Sequence, residues 1–407
     1  MIDLLSHFNR WFERDDPLVN VQHLQVLYRA SLQDSASNQL ALTWADRYRD
    51  KEDERYMLLE ALTLAIPEGE SDETRCVRLF RRLYAQSNSL ALMLLLRADM
   101  LRWKTQIPGV VKLEKVLAGL LVNWFDVGML ELRPINWDSP ASLLEKLIEY
   151  EAVHEIQSWA DMKRRVAADR RCYAFFHPRL PDVPLIFVEV ALAEHMATHV
   201  QALLDPSQPI SPTQDKARWA IFYSISNTQM GLRGISFGGF LLKRVIDALV
   251  DEIPSIKSFA TLSPIPGFTK WLGRQSKEAL AEMIPQKEKS RHALAQELSG
   301  EELAVLIRTA VETGEDEGIK GYGMRVVAHY LRAMHDGEPV DPVARFHLGN
   351  GASIGNINWA ADRSAKGMAQ SCGLMVNYLY EPEKLDANRL RLAEGSPRVS
   401  RKVQRLL

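Results

Sequence analysis

Cysteine is scarce in this chain of 407 residues: Cys76, Cys172 and Cys372 form an odd, widely spaced set without a CxxC pair. Such a set argues against a disulfide framework and a structural zinc site, and it fits a reducing compartment. Long apolar runs are missing as well. The longest, Leu90 to Leu96, is closed by Arg97 and Asp99, far short of the ~20 residues that span a bilayer. The start, MIDLLSHFNRWFERDD, lacks the basic residues, long apolar stretch and cleavage site of a secretory signal. The end, Gln404-Arg405-Leu406-Leu407, is not a Ser-Lys-Leu address, so the cytoplasm is the expected location. There is no charge imbalance: 50 Lys+Arg stand against 52 Asp+Glu, a formal net charge of −2. No global field draws the chain to nucleic acid or anionic lipid, and neither is an expected partner. Internal repeats and low-complexity tracts are also lacking.

What is present is an ordinary globular composition, 46% hydrophobic and 25% charged, on a chain long enough for two or three domains. Up to about Phe125 apolar residues recur at helical spacing, as in Leu58, Leu62, Ala65, then Val77, Phe80, Tyr84, then Leu113, Leu117, Leu120, Trp124. This predicts a helical bundle domain over 1–124, with Arg78, Arg81, Arg82 and Glu114 on solvated faces. The pattern then changes, and a second domain is expected over 125–407. Met129 to Arg133 alternates like a strand that Pro134 ends. Ser139-Pro140 supplies an N-cap and a first-turn proline for a helix through Leu143, Leu147 and Tyr150. Strand-like runs follow at Cys172 to Phe176, Leu185 to Leu192, Trp219 to Ser226 and Ser258 to Leu262. A helix with Leu241, Val245 and Leu249 on one face comes after the third. Ser299-Gly300-Glu301-Glu302 matches a capping box.

Several segments offer chemistry. Gln229-Met230-Gly231-Leu232-Arg233-Gly234-Ile235-Ser236-Phe237-Gly238-Gly239 lies between an expected strand and an expected helix. Glycines there let backbone amides approach a pyrophosphate at a helix N-terminus; close packing of the connection explains them equally. Gly234 to Gly238 also fits G-x-S-x-G, the nucleophile elbow of serine hydrolases, with Asp341 and His347 completing a triad on paper. An elbow needs its strand to run directly into the first glycine, which this segment does not provide. His195 and His199 have the spacing of two zinc ligands on one helix face, but no third ligand is apparent. Ser263 stands where an apolar strand meets Pro264-Ile265-Pro266-Gly267, so its hydroxyl is fixed at a sheet edge, as a turn cap or as a working group. His347 reads as the end of a strand-like run that breaks into Gly349-Asn350-Gly351. Together the two would make an acid/base pair.

The runs FYSISNTQMGLRGISFGGFLLKRV (Phe222 to Val245), TLSPIPGFTKWL (Thr261 to Leu272), HLGNGASIGNINWAADRSAKGMAQSCGLMVNYLY (His347 to Tyr380) and SPASLLEKLIEYEAVHEI (Ser139 to Ile156) resemble the malonyl-CoA decarboxylase family. The resemblance implies an α+β protein: a helical N-terminal bundle that helps form a homo-oligomer, dimer or tetramer, followed by a GCN5-related N-acetyltransferase-like (GNAT-like) catalytic domain with a mixed sheet. It implies decarboxylation of malonyl-CoA to acetyl-CoA and CO2, with no cofactor besides the CoA of the substrate and no metal. The serine of SPIP and the histidine before L-x-N-G, the family's acid/base residues, fall on Ser263 and His347. Its contributing tyrosine falls on Tyr380, which otherwise reads as an aromatic at a helix end. The 229–239 loop would hold CoA, although the acetyltransferase pattern Gln/Arg-x-x-Gly-x-Gly/Ala fits it only in the shifted form Gln229-x-Gly231-x-x-Gly234. A CoA-dependent N-acetyltransferase and a hydrolase using Ser236 are the alternatives.

Overall fold

The computed structural model describes residues 16–67, 72–208, 210, 216–235, 240–286, 297–314 and 316–407. The chain divides into two compact units. One joins Met1–Glu131 to Phe176–Leu185 and Asn227–Phe237; the other joins Leu132–Phe175, Ile186–Ser226 and Gly238–Leu407.

The first unit holds α1 (Val21–Arg29), α2 (Ser35–Asp50), α3 (Arg55–Leu64), α4 (Asp72–Ser87), α5 (Leu90–Arg102) and α6 (Val110–Trp124). Asn20, Asp34 and Ser89 cap α1, α2 and α5 by accepting bonds from first-turn amides. α4 is the hub, packing on α1, α2, α5 and α6 through the buried Cys76, Leu79, Phe80 and Leu83. Arg82 does not sit on a solvated face. It is completely buried, and its guanidinium donates to the carbonyls of Val26, Leu27, Ala30 and Ser31 at 2.6–3.2 Å. Arg78 donates to the Arg29 carbonyl at 2.8 Å. Two cations therefore occupy the negative end of α1, whose last carbonyls have no partner within the helix. Glu114 is likewise engaged, pairing with the buried Arg97 at 2.9 Å.

The second unit is organised by a sheet with the order β1-β2-β3-β4-β5-β10-β6, and β9 pairs with β10. The strands are β1 (Glu131–Ile135), β2 (Arg170–His177), β3 (Leu180–Ala193), β4 (Trp219–Asn227), β5 (Ser258–Thr261), β6 (Ser263–Pro264), β9 (Ser353–Asn358) and β10 (Met375–Tyr380); a separate hairpin is made by β7 (Met334–His335) and β8 (Glu338–Pro339). β4 and β5 run parallel, whereas β10 is antiparallel to β5, β6 and β9. The sheet is thus mixed, and the protein has the expected α+β class. One face is dry, with Ile221, Tyr223, Ala260, Leu262 and Met375 in a single cluster. The helix Phe240–Glu252 buries Leu241, Val245 and Leu249, and the capping box at Ser299 is formed with Glu302.

Four expectations are corrected. β1 continues through Pro134 to Ile135, because an edge strand can leave one side without a donor. Ser139 is not an N-cap: the helix α7 (Ala141–Tyr150) begins after Pro140, and Ser139 lies one residue further out, where a following proline disfavours helical geometry. There it closes a turn, its Oγ accepting from the Asn136 amide at 3.1 Å. His195 and His199 do not share a helix face; β3 runs to Ala193 and both side chains are exposed on the irregular segment that follows. His347 does not end a strand. It lies inside α8 (Pro342–Gly349), where Ala344, His347 and Leu348 are the buried residues at 3.6-residue spacing.

Candidate active site

The parallel ladder of β4 and β5 ends at Phe222 opposite Thr261. β4 continues to Asn227, whereas its neighbour bends at Leu262 and re-forms as β6 against β10. β10 bridges the bend: Leu379 and Tyr380 face Ala260 and Phe259, while Met375 and Val376 face Pro264 and Ser263. In between, β10 has an irregularity at Asn377/Tyr378, and side chains take over where the ladder breaks. Thr261 Oγ1 accepts from the Tyr378 amide at 3.0 Å, and Asn377 Nδ2 donates to the Thr261 carbonyl at 2.7 Å. Asn358 Nδ2 in turn donates to Asn377 Oδ1 at 2.7 Å. Buried backbone groups left without a partner would cost free energy, so these side chains are what allows the bend.

Ser263 is the first residue beyond the bend. Its Oγ donates to Thr261 Oγ1 at 2.8 Å and lies 3.1 Å from His347 Nε2. His347 Nδ1 lies 2.8 Å from the Tyr380 hydroxyl. Tyr380 is the last residue of β10 and not at a helix end. All three side chains are nearly enclosed, at 5%, 3% and 3% exposure. With the single serine proton committed to Thr261, Nε2 carries the hydrogen and donates to Ser263; Nδ1 is then bare and accepts from Tyr380. Burial pushes the His347 pKa down to about 3 and that of Tyr380 well above its ordinary value, so the resting trio is neutral. The imidazole stacks on Tyr378 at 4.6 Å between centroids, which fixes the plane in which Nε2–H points.

Asp341 and Pro342 explain why His347 is helical. Asp341 Oδ1 accepts from the Val343 and Ala344 amides at 3.0 and 2.8 Å, and Pro342 fills the first helical position. Its carboxylate also takes the Tyr330 hydroxyl at 3.2 Å. Asp341 therefore caps the helix and is not the third member of a hydrolase triad; both nitrogens of His347 are already used. After the helix the chain turns at Gly351, with φ +85° and a Cβ position only 2.5 Å from the Leu385 carbonyl. Gly351→Ala is expected to destabilise the protein by about 2–4 kcal/mol, from left-handed strain plus overpacking, read as a lower urea midpoint. A change below about 0.5 kcal/mol would contradict this account.

The predicted CoA loop is described only in part. Gln229 to Ile235 lie in the first unit; Ser236, Phe237, Gly238 and Gly239 lie outside the described residues. Met230–Leu232 form a short 3-10 turn against α5. The Leu232, Arg233 and Ile235 amides donate to the Gln229, Met230 and Leu232 carbonyls at 2.9–3.1 Å. A Cβ on Gly231 would fall 2.1 Å from the Leu94 carbonyl, and Arg97 Nη1 donates to the Gly231 carbonyl at 2.6 Å. The first glycine thus permits close helix packing, whereas Gly234, with φ +76° and open space around it, supplies the left-handed turn. Gln229 donates to Thr228 Oγ1 at 3.1 Å, and Arg233 is exposed.

Ser263, His347 and Tyr380 are therefore brought together as the sequence motifs suggest. Thr261, Tyr378 and Asn377 were not singled out. Thr261 carried a usable signal, since it stands two residues before Ser263 and so on the same strand face. Among the described residues no three His, Cys, Asp or Glu side chains gather as a metal site, and no helix is long and apolar enough to cross a membrane.

Fold and site together define a mixed-sheet domain with a buried serine–histidine–tyrosine relay. Residues 128–407 match the malonyl-CoA decarboxylase C-terminal domain; the chain belongs to this family. The mitochondrial malonyl-CoA decarboxylase of Rattus norvegicus is 40% identical over 329 residues, 76% of this chain and 66% of that protein. The chain thus matches just under two thirds of that relative's length. The crystal structure of malonyl-CoA decarboxylase from Cupriavidus metallidurans is 48% identical, with a TM-score of 0.86 over 95% of this chain and 98% of that one. The Rhodopseudomonas palustris enzyme is 35% identical, with a TM-score of 0.79 over 95% and 99%.

Proposed function

We propose that this chain decarboxylates malonyl-CoA to acetyl-CoA and CO2, a carboxy-lyase reaction. The observation that carries the reading is the enclosed Ser263–His347–Tyr380 relay in a chain of this family. Cleavage of the bond between the α-carbon and the carboxylate leaves its electron pair on the α-carbon, delocalised onto the thioester oxygen as an enolate. Preorganised donors aimed at such an oxygen contribute about 3–4 kcal/mol each. Ser263 turns its hydroxyl from Thr261 to the departing carboxylate, and His347 gives its Nε2 proton to the α-carbon while Nδ1 takes the hydroxyl proton of Tyr380; water restores that proton after release of product. Tyr380 holds Nδ1 and thereby the ring. The thioester carbonyl is itself the electron sink, so the step calls for no biotin, metal or pyridoxal phosphate. The segment from Gln229 to Gly239 is assigned to CoA, the helical unit to homo-oligomer formation, and the cytoplasm to the working location, with three buried thiols that suit a reducing compartment.

Incubation with malonyl-CoA and mass analysis of the thioesters tests the reading: acetyl-CoA and CO2 are expected in equal amounts without an amine acceptor. Release of free CoA, or consumption only when an amine is supplied, would overturn it.

The desolvated histidine also sets the pH behaviour. Because His347 stays neutral down to about pH 3, kcat is expected to show no histidine limb between pH 5 and 8. Its contribution to stability has the opposite visibility. The unfolded chain takes up a proton below about pH 6.5 and the folded one does not. Stability from this group is complete above pH 6.5 and declines as the pH falls toward 3. Urea midpoints between pH 7 and 4 should fall more steeply for the wild type than for His347→Gln; equal slopes would contradict the burial argument.

A further inference from the structure

A polar cavity lies in the same unit as the relay and shares no residue with it. It has a volume of about 330 Å³ and is lined by Arg332, Arg391 and Arg398 together with Ser396 and Gln404. No carboxylate lines it, and none of the three guanidinium groups pairs with a carboxylate among the described residues. Arg332, the last residue of the helix Glu317–Arg332, has an enclosed Nε without a hydrogen-bond partner among the described residues. Three like charges around one cavity repel one another, and a buried donor without an acceptor is unfavourable. The repulsion is relieved by a multiply charged oxyanion, the group that guanidinium forks bind in bidentate fashion.

The frame of the cavity is held in advance. The Arg398 carbonyl accepts from the Ile354 amide at 3.0 Å, and the Ser400 amide donates back to the Ile354 carbonyl at 2.9 Å, which joins Val399 to β9 in a parallel bridge. The Ser400 hydroxyl donates to the Gly355 carbonyl at 2.6 Å, and the Ser396 amide donates to the Arg391 carbonyl at 2.9 Å. The backbone that carries Ser396 and Arg398 is thus ordered before a ligand arrives, which favours affinity. The volume falls at the low end of the range for small-molecule sites, enough for a phosphate group carrying a small organic substituent.

We infer that this arginine-lined cavity is a binding site for a small phosphomonoester, separate from the place where malonyl-CoA reacts. Methyl phosphate is the probe, titrated calorimetrically into the full chain at constant ionic strength, with sodium chloride as the control. Wild type is expected to bind it at least tenfold more tightly than Arg332→Gln/Arg398→Gln, while the double variant keeps wild-type turnover of malonyl-CoA. Should that variant fail to fold, the exposed Arg391→Gln is expected to weaken binding severalfold. Absence of binding by the wild type, or equal binding by wild type and variants, would overturn the inference. So would a rise in KM for malonyl-CoA that malonyl-dephospho-CoA does not show, because the cavity would then hold the ribose phosphate of the substrate. A change of oligomeric state without a change in methyl phosphate binding would instead assign the arginines to a carboxylate of another copy. The calorimetric readout does not depend on the decarboxylase reading, so the two can fail separately.

Discussion

His347→Gln is expected to lower kcat for malonyl-CoA by roughly 10²–10⁴-fold, the usual contribution of a positioned proton donor, while leaving KM within about threefold of wild type. The asymmetry follows from the position of the ring. His347 is 3% exposed, is held by Ser263 and Tyr380, and stacks on Tyr378; it offers a reacting carbon one proton and a bulky CoA moiety almost no surface. Glutamine retains much of the volume and polarity, so the fold should persist, as a wild-type circular dichroism spectrum would show. Tyr380→Phe should cost less, because the ring keeps its stack and its Ser263 contact and loses only the donor to Nδ1. A His347→Gln enzyme with kcat within threefold of wild type would remove the histidine from the chemistry.

Arg165→Met is expected to be the most damaging single change for stability, by about 3–5 kcal/mol, the cost of breaking one side of a buried ion pair. Arg165 ends the helix Trp159–Arg165 and is 2% exposed. It donates to Glu189 Oε2 at 2.8 Å, to the His154 carbonyl at 2.8 Å and to Asp161 Oδ1 at 3.0 Å. Glu189 lies on β3 with no exposure, and its other oxygen has no partner among the described residues. Burial pushes its carboxyl up, and the guanidinium of Arg165 beside it works against that and favours the charged form. Without Arg165 the carboxylate must either stay charged in the interior or take up a proton, and each option disfavours the fold at neutral pH. Adding Glu189→Gln to Arg165→Met should recover part of the loss. Urea unfolding of the four-member cycle measures the coupling; a single-variant loss below about 1 kcal/mol would show that the pair is dispensable.

Much of the sheet was legible because its signals are local. β2 through β5 stand where β-branched and aromatic runs suggested, and the Ser299 box is a pattern within four residues. The errors have two causes, a helix-start signal next to a strand-like run and contacts made by residues far apart in the chain. Ala344 to Leu348 alternates well enough to imitate a strand, and only the Asp341-Pro342 pair ahead of it marks a helix start. Arg82 has the composition of a solvated position; its burial depends on the end of a helix some fifty residues earlier in the chain, which no local window contains. The glycine pattern around Gly231 suits approach to a phosphate, whereas the distance to Leu94 shows that a neighbouring helix uses the missing side chain. Within the site, Ser263 and His347 could be named from motifs. Thr261 has its two-residue spacing from Ser263 as a sign, but its bond to the Tyr378 amide depends on where two ladders part.

The position of β10 has a consequence for the nascent polypeptide. Ser263 and His347 are both synthesised before β10, yet the strand that positions one and supplies the tyrosine for the other comes later. Until β10 inserts between β5/β6 and β9, the chain carries Ser263 and His347 without their alignment. Catalytic competence should therefore appear abruptly, as the central strand docks, and partly folded or chaperone-held forms should leave cellular thioesters untouched.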